Sequence, residues 1–235
     1  MAHKPTRRMD YRQIVYSPER WALLKTYRRQ ALNIMAALQA YHLHSIVHGS
    51  VARGDVTRKS DVDVFVPRQA SSFVVETALE RANIPVQKRL IVQATPTYAM
   101  KAYIAVDQNT SVSFPLMKMS RVEQEFYRFG GEASGDDLRN DLRVLGVDKR
   151  LILVEPTEKG HNESPVIGRE THVAGLMGIS VQTVLDRVHA LVRRDNVGRT
   201  GVFVEKEVST DQTFEAALKA LADGNPAVRR RLRRA

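Results

Sequence analysis

Two aspartates stand two residues apart inside an otherwise apolar run. Asp61 and Asp63 alternate with Val62, Val64 and Val66, and side chains two residues apart on a strand leave the same face. Neighbouring carboxylates repel each other unless a cation lies between them, and burying an unpaired charge is costly. Mg²⁺ fits because it takes carboxylate oxygens and is commonly shared with substrate phosphates. The pair therefore predicts a metal site that is completed by a nucleotide.

A Gly-Ser turn precedes the aspartates. Gly49 and Ser50 follow a predicted short strand at residues 45–48, and a short helix is predicted from Val51. Glycine lets backbone N–H groups approach a ligand closely, serine adds a hydroxyl donor, and a helix N-terminus attracts anions. These features predict a triphosphate cradle. The stretch between the turn and the aspartates adds candidates for binding or neutralising phosphate: Arg53, Arg58, Lys59 and Ser60.

The order and spacing of Gly49, Ser50, Asp61 and Asp63 resemble the signature of the DNA polymerase β-type nucleotidyltransferase superfamily. The run GSVARGD…SDVDV looks most similar to its minimal members, and the whole chain resembles archaeal proteins with such a domain and a C-terminal helix-turn-helix. The resemblance implies transfer of a nucleoside monophosphate from an NTP to a hydroxyl of protein, RNA or a small molecule, with Mg²⁺ or Mn²⁺. It also implies that the aspartates hold the metals and that Gly49 and Ser50 bind the β- and γ-phosphates.

The family's third metal-binding carboxylate is expected on the strand SVSFPL, where this chain has Ser111 and Ser113. A serine cannot replace an anionic ligand. Asp107, in the predicted turn Asp-Gln-Asn, is the nearest acid and the candidate third catalytic residue. Two alternatives to an active enzyme therefore stay open. One is a nucleic-acid-binding regulator that binds a nucleotide without turning it over, and the other is an antitoxin-like interaction protein.

A second motif spans residues 171–194, THVAGLMGISVQTVLDRVHALVRR. Ala174, Gly178 and Ser180 resemble the helix-turn-helix signature, with a small residue for close helix packing, a glycine for the turn and a helix N-cap. Residues 195–209 predict a β-hairpin wing. The predicted buried stripe of the second helix is Val181, Val184, Val188 and Leu191. The residues predicted to face DNA or RNA are Gln182, Thr183, Arg187 and, at the tip of the wing, Arg199.

The elements that must position these residues follow from periodicity. Helices are predicted at residues 17–42, from Ser71 or Ser72, at 121–129 and at 214–221, and strands at 61–66, 89–94, 101–106, 111–116 and 151–154. Residues 156–165 read as an exposed linker. The fold class is α+β, with a polymerase-β-like nucleotidyltransferase domain at 1–160 that contains a mixed sheet. A winged helix-turn-helix domain with a basic tail is predicted at 161–235.

Composition narrows the class of protein. The chain has 235 residues, 43% of them hydrophobic, and a net charge of +10, so a packed core is expected. The lack of cysteine excludes disulfides and thiolate chemistry, and no apolar run or signal-like N-terminus is present, so a cytoplasmic protein without a membrane partner is expected. The oligomeric state is open, with a homodimer as one alternative. Basic residues at both ends favour a nucleic-acid or nucleotide partner: Lys4, Arg7, Arg8, Arg12, Arg229, Arg230, Arg231, Arg233 and Arg234.

Overall fold

The computed structural model describes residues 4–6, 10–198 and 201–233. The strands are β1 (Arg12–Val15), β2 (Ile46–His48), β3 (Val62–Phe65), β4 (Lys88–Gln93), β5 (Lys101–Ala105), β6 (Thr110–Pro115), β7 (Glu132–Ser134), β8 (Gly146–Val147), β9 (Ile152–Thr157), β10 (Gly160–Pro165) and β11 (Val204–Glu207). The helices are α1 (Pro18–Gln39), α2 (Ser50–Arg53), α3 (Ser72–Arg81), α4 (Arg121–Gly130), α5 (Gly135–Arg139), α6 (Glu170–Met177), α7 (Val181–Val197), α8 (Phe214–Gly224) and α9 (Pro226–Arg233).

Two compact units, each built from three segments, make up the chain. Unit 1 comprises Met1–Arg29, Val47–Ser60 and Gln124–Thr200, and unit 2 comprises Gln30–Ile46, Asp61–Glu123 and Gly201–Ala235. The chain therefore passes between the units several times. A boundary at residue 160, as the sequence predicts, would fall within β10. The predicted residues Arg7, Arg8, Arg199 and Arg234 lie outside the described residues.

Unit 1 contains an antiparallel sheet with the strand order β1-β10-β9-β8. Its hydrophobic core combines Leu153 of β9 and Leu151, which lies directly before that strand, with Val173 of α6 and Val184 of α7, all buried. The predicted linker at residues 156–165 is wrong, because β9 and β10 form a hairpin there. Its Gly, Asn, Ser and Pro content is typical of a loop. The strand is stabilised by pairing with β1, which lies far away in the sequence.

The β10 hairpin buries a polar network in unit 1. The Tyr16 hydroxyl lies 2.6 Å from Nδ1 of His161, and Arg150 donates to Glu163 over 2.6 Å. Both His161 and Glu163 are buried. Because desolvation penalises the imidazolium, burial lowers the pKa of His161, although the Glu163 carboxylate opposes this effect. These contacts give the polar residues of the hairpin a structural role.

In unit 2, five strands lie side by side in the order β11-β4-β5-β6-β3. β3 pairs with β6 in parallel, whereas the other neighbours are antiparallel. The chain is thus α+β with a mixed sheet, as predicted. One sheet face is fully buried, with Phe114 stacked edge-on against Phe214 of α8 at 5.8 Å. The opposite face carries Asp63 and Ser111, which are paired positions of β3 and β6.

The predicted β-hairpin wing is wrong. Val204–Glu207, in the middle of the predicted hairpin, form β11, which pairs with β4 at the edge of the unit 2 sheet. Alternating residues such as VFVEKEV indicate a strand but do not specify its partner, and a sheet edge with unpaired N–H and C=O groups is an available partner.

Candidate functional site

The aspartates lie at the start of β3. Val62, Val64 and Val66 are buried, whereas Asp61, directly before the strand, is exposed and Asp63 is half-buried. The alternation of a half-buried strand explains this difference, since successive side chains point to opposite faces. Both carboxylates can therefore be reached from one side of the strand while the valines anchor it.

Ser111 is the residue directly beside Asp63. The parallel register of β3 and β6 pairs these two positions, and the Ser111 hydroxyl donates to Oδ1 of Asp63 over 2.8 Å. The position on the neighbouring strand next to the second aspartate thus carries a neutral donor. Its hydroxyl orients the Asp63 carboxylate but adds no negative charge for a metal.

Two further ionisable residues share this sheet face with Asp63. β5 presents Tyr103 opposite Ser113 and Lys101 opposite Pro115. Burial, and secondarily the charge of Asp63, raises the pKa of Tyr103 to about 12. Burial lowers the pKa of Lys101 to about 8, although the Glu123 carboxylate opposes this effect. The sequence interpretation missed both residues, and the available signal was the polar–apolar alternation of KAYIA.

Asp107 lies in the turn between β5 and β6, as the sequence predicts. It is exposed, and its Oδ1 accepts a hydrogen bond from the backbone N–H of Asn109 over 2.8 Å. This contact is a local Asx-type turn, which gives the acid a structural role of its own. Metal binding by Asp107 stays a prediction. Among the described residues, no group of three or more His, Asp or Glu side chains is placed so that it could hold a metal ion.

The Gly-Ser turn lies in unit 1 and leads into α2. Gly49 has φ of +79°, a left-handed conformation that favours glycine, and a Cβ added there would meet open space. Its N–H donates to the Gly131 carbonyl over 2.9 Å. The Ser50 hydroxyl donates to the Ser60 hydroxyl over 3.1 Å. The structure thus brings together two of the residues predicted to bind phosphate.

Arg53, a predicted phosphate-binding residue, does not lie on the loop that carries Arg58 and Lys59. It is the last residue of α2 and is buried. Its guanidinium pairs with Asp55 at 2.9 Å and donates to the Gly130 carbonyl over 2.5 Å. Arg58 and Lys59 are exposed and remain the basic candidates on the loop. A buried arginine that binds carbonyls and an exposed arginine that binds phosphate look alike in a sequence.

The comparisons with known proteins assign one segment of the chain. Residues 28–123 match the family model of the nucleotidyltransferase domain. The match covers less than half of the chain, and it contains the Gly-Ser turn and both aspartates. No curated protein and no solved structure matches the chain, so the archaeal resemblance gains no support. The matched family supports nucleotidyl transfer as the general class of activity.

The nucleotidyltransferase segment begins at a residue that positions α2. Arg28 of α1 is buried and donates to the carbonyls of Val51 and Ala52 over 3.2 and 3.1 Å. These carbonyls belong to a helix end and lack intrahelical partners. Desolvation lowers the pKa of Arg28, an effect opposed by Asp141. The sequence interpretation assigned no role to Arg28, since nothing in α1 alone shows which carbonyls it meets.

His48, directly before the turn, packs against two aromatic rings of α4. Its ring lies 4.9 Å from the Tyr127 ring and 6.3 Å from the Phe126 ring, centroid to centroid.

The predicted helix-turn-helix lies outside the nucleotidyltransferase segment. α6 ends at Gly178, which has φ of +61°, and Ser180 caps α7 through the N–H of Thr183. The two helices are therefore present, but a winged helix-turn-helix is not confirmed. Val181, expected to be buried, is 37% exposed.

The residues predicted to read nucleic acid are only partly available. Gln182 is exposed and donates to Asp186 over 2.6 Å. Thr183, expected to face outward, is fully buried and donates to Glu125. Arg187 is half-buried, with its guanidinium 4.7 Å from the centre of the Phe126 ring. The prediction that Thr183 faces outward is wrong because the start of α7 packs onto α4. The Glu125 carboxylate at this end of α7 would also repel a phosphate group.

No helix within the described ranges is long and apolar enough to cross a membrane.

Proposed function

We propose that this protein is a Mg²⁺-dependent nucleotidyltransferase that moves a nucleoside monophosphate from an NTP to an acceptor hydroxyl. The observation that carries the proposal is the match of residues 28–123 to the nucleotidyltransferase domain. Within that segment, Asp61 and Asp63 are accessible carboxylates two residues apart. In the reaction the acceptor oxygen bonds to the α-phosphorus, the bond to the β-phosphate oxygen breaks, and pyrophosphate and the hydroxyl proton leave.

Each residue has a defined part in this proposal. Asp61 and Asp63 would hold Mg²⁺, which commonly binds proteins through one or two carboxylates and completes its shell with substrate phosphates and water. The metal would stabilise the negative charge on the transferred phosphate. Ser50 and Ser60 would donate hydroxyl hydrogen bonds to the β- and γ-phosphates beside Gly49. Exposed cations on the loop, Arg58 and Lys59, would neutralise the remaining phosphate charge.

A second candidate function is nucleotide binding without turnover. It is favoured by Ser111, the neutral residue that lies beside Asp63 and donates to it over 2.8 Å. Without a third carboxylate, the metal that activates the acceptor hydroxyl would be held weakly. In this alternative the protein senses a nucleotide and acts through its bound state.

The deciding experiment is pyrophosphate release from each NTP with Mg²⁺ or Mn²⁺, using total RNA or cell lysate as the acceptor. The test variant is Asp61→Asn with Asp63→Asn. The matched control is Glu205→Gln with Asp223→Asn, which removes the same charge from exposed acids outside the nucleotidyltransferase segment. We expect the test variant to lose at least about 100-fold in rate, because removing the charges that stabilise a transition state costs several kcal/mol.

Equal activity in wild type and test variant would contradict the proposal. Metal-dependent NTP binding without release, lost in the same variant, would establish the second candidate instead.

A further inference from the structure

A basic groove lies at the end of the unit 2 sheet that is remote from the aspartates. β6 begins at Thr110, one residue before the position that pairs with Asp63, and residues 118–120 follow its other end. This segment, the loop at Thr97 and helix α9 enclose a cavity of about 430 Å³. Its charged lining residues, Lys118, Arg230 and Arg231, are all basic. We call it the α9 groove.

Arg231 fixes the shape of the α9 groove. Its guanidinium donates to the carbonyls of Thr97 and Lys118 over 2.9 and 2.7 Å and lies 3.6 Å from the buried carboxylate of Glu123. Glu123 in turn accepts from the N–H groups of Ala99 and Ser120. Arg231 therefore attaches α9 to both loops, and the charge of Arg231 is largely offset by Glu123.

Two cations in the groove have no such structural task. Lys118 and Arg230 are both exposed, and neither makes an ion pair with another described residue. Arg233 lies three positions after Arg230, so it lies on the same side of α9. The positive charge thus extends from the cavity along the helix, farther than one phosphate group would need.

We propose that the α9 groove binds the phosphodiester backbone of a nucleic acid. The successive phosphates of a nucleic-acid strand could each contact one of the cations in the row Lys118, Arg230 and Arg233. A free nucleotide would occupy only the cavity. The exposed Pro96 and other apolar lining atoms provide a surface for the sugars. No described lining residue is aromatic, so the proposed contacts are to phosphates rather than to stacked bases, and phosphate contacts do not select a base sequence. All its lining residues belong to unit 2 and none belongs to α7, and the proposal does not depend on the proposed transferase activity.

The test measures binding of a short fluorescent single-stranded RNA by anisotropy over a series of salt concentrations. The test variant is Lys118→Gln with Arg230→Gln, which leaves the Arg231–Glu123 contact intact. The matched control is Lys25→Gln with Lys219→Gln, which removes two exposed helical cations elsewhere. We expect the test variant to bind about tenfold more weakly, with a salt slope lower by about 1.4, because each phosphate contact on a single strand contributes about 0.7. The control should bind like wild type.

Three results would overturn the proposal. The first is unchanged affinity and slope in a test variant that melts like wild type. The second is the absence of RNA binding by wild type at low salt. The third is complete displacement of the RNA by ATP at an equal phosphate concentration, which would mark a site for a free nucleotide. Pyrophosphate release is a separate readout, so failure here leaves the transferase proposal intact.

Discussion

At the scale of single residues, Ser111 bears most directly on the proposed transferase reaction. It stands beside Asp63 in the parallel register and donates a hydrogen bond to it. A carboxylate in the same place would be close enough to Asp63 for the two to share a cation. Without a cation, the two carboxylates would repel each other. In the proposed site, the residue at this position therefore sets how strongly a metal ion would be held.

We predict that Ser111→Asp makes the thermal stability of the protein depend on divalent metal ions. Without divalent ions the new carboxylate beside Asp63 should destabilise the fold by about 1 kcal/mol, since like charges on paired strand positions repel. Mg²⁺ should reverse this loss and raise pyrophosphate release above wild type. Thermal melting in EDTA and in Mg²⁺ measures the first effect.

The neutral variant Ser111→Asn is the control for this substitution, because it alters the side chain without adding charge. If Ser111→Asp and Ser111→Asn respond equally to Mg²⁺, the position is not part of a metal site.

At the scale of elements, the start of α7 is held by one carboxylate of α4. Glu125 is buried and accepts from the N–H and the hydroxyl of Ser180 over 3.0 and 2.6 Å, and from the hydroxyl of Thr183 over 2.5 Å. An anion at a helix N-terminus is favourable because the first N–H groups and the helix dipole face it. The end of α7 that a recognition helix would present to DNA is therefore used to pack this helix within unit 1.

We predict that Glu125→Ala costs about 2–4 kcal/mol of unfolding free energy, because it leaves buried donors of Ser180 and Thr183 without their acceptor. Glu125→Gln should cost less, since its amide oxygen still accepts hydrogen bonds. Urea unfolding of both variants measures the difference. Equal losses in the two variants would show that charge alone, rather than the acceptor, holds the helix.

At the scale of the whole molecule, the nucleotidyltransferase segment is not a structural unit by itself. Residues 28–123 contribute to both units, and each unit also requires chain from outside the segment. In unit 2, β11 covers the edge of β4, and Glu215 of α8 accepts from the N–H and hydroxyl of Ser72. In unit 1, the N–H of Gly49 is bonded to Gly131.

We predict that a fragment of residues 28–123 does not fold cooperatively. It would expose Phe114, which packs on Phe214, together with the edge of β4, and an exposed sheet edge promotes aggregation. The measurement is thermal unfolding of the fragment and of the full chain, each monitored by circular dichroism. A sharp two-state transition of the fragment near that of the full chain would contradict the prediction.

Local patterns in the sequence predicted most elements and the alternation of buried valines with accessible aspartates at β3. The buried valines around Asp61 and Asp63, the helix that begins at Ser72 after Ser71, and the hairpin of β5 and β6 all depend on neighbours within a few residues. Periodicity and turn chemistry report such neighbours directly. The resemblance to nucleotidyltransferases likewise rested on a short run, and residues 28–123 match that domain.

Only the tertiary structure decided which distant segments meet. β11 joins β4 instead of forming a wing, β10 pairs with β1 instead of forming a linker, and Thr183 is buried against Glu125. A strand pattern specifies a strand but not its partner, and an arginine or threonine can serve a ligand or a buried carbonyl or carboxylate equally well. These pairings depend on which surfaces, far apart in the sequence, are buried against each other in the fold. No local sequence pattern specifies those contacts.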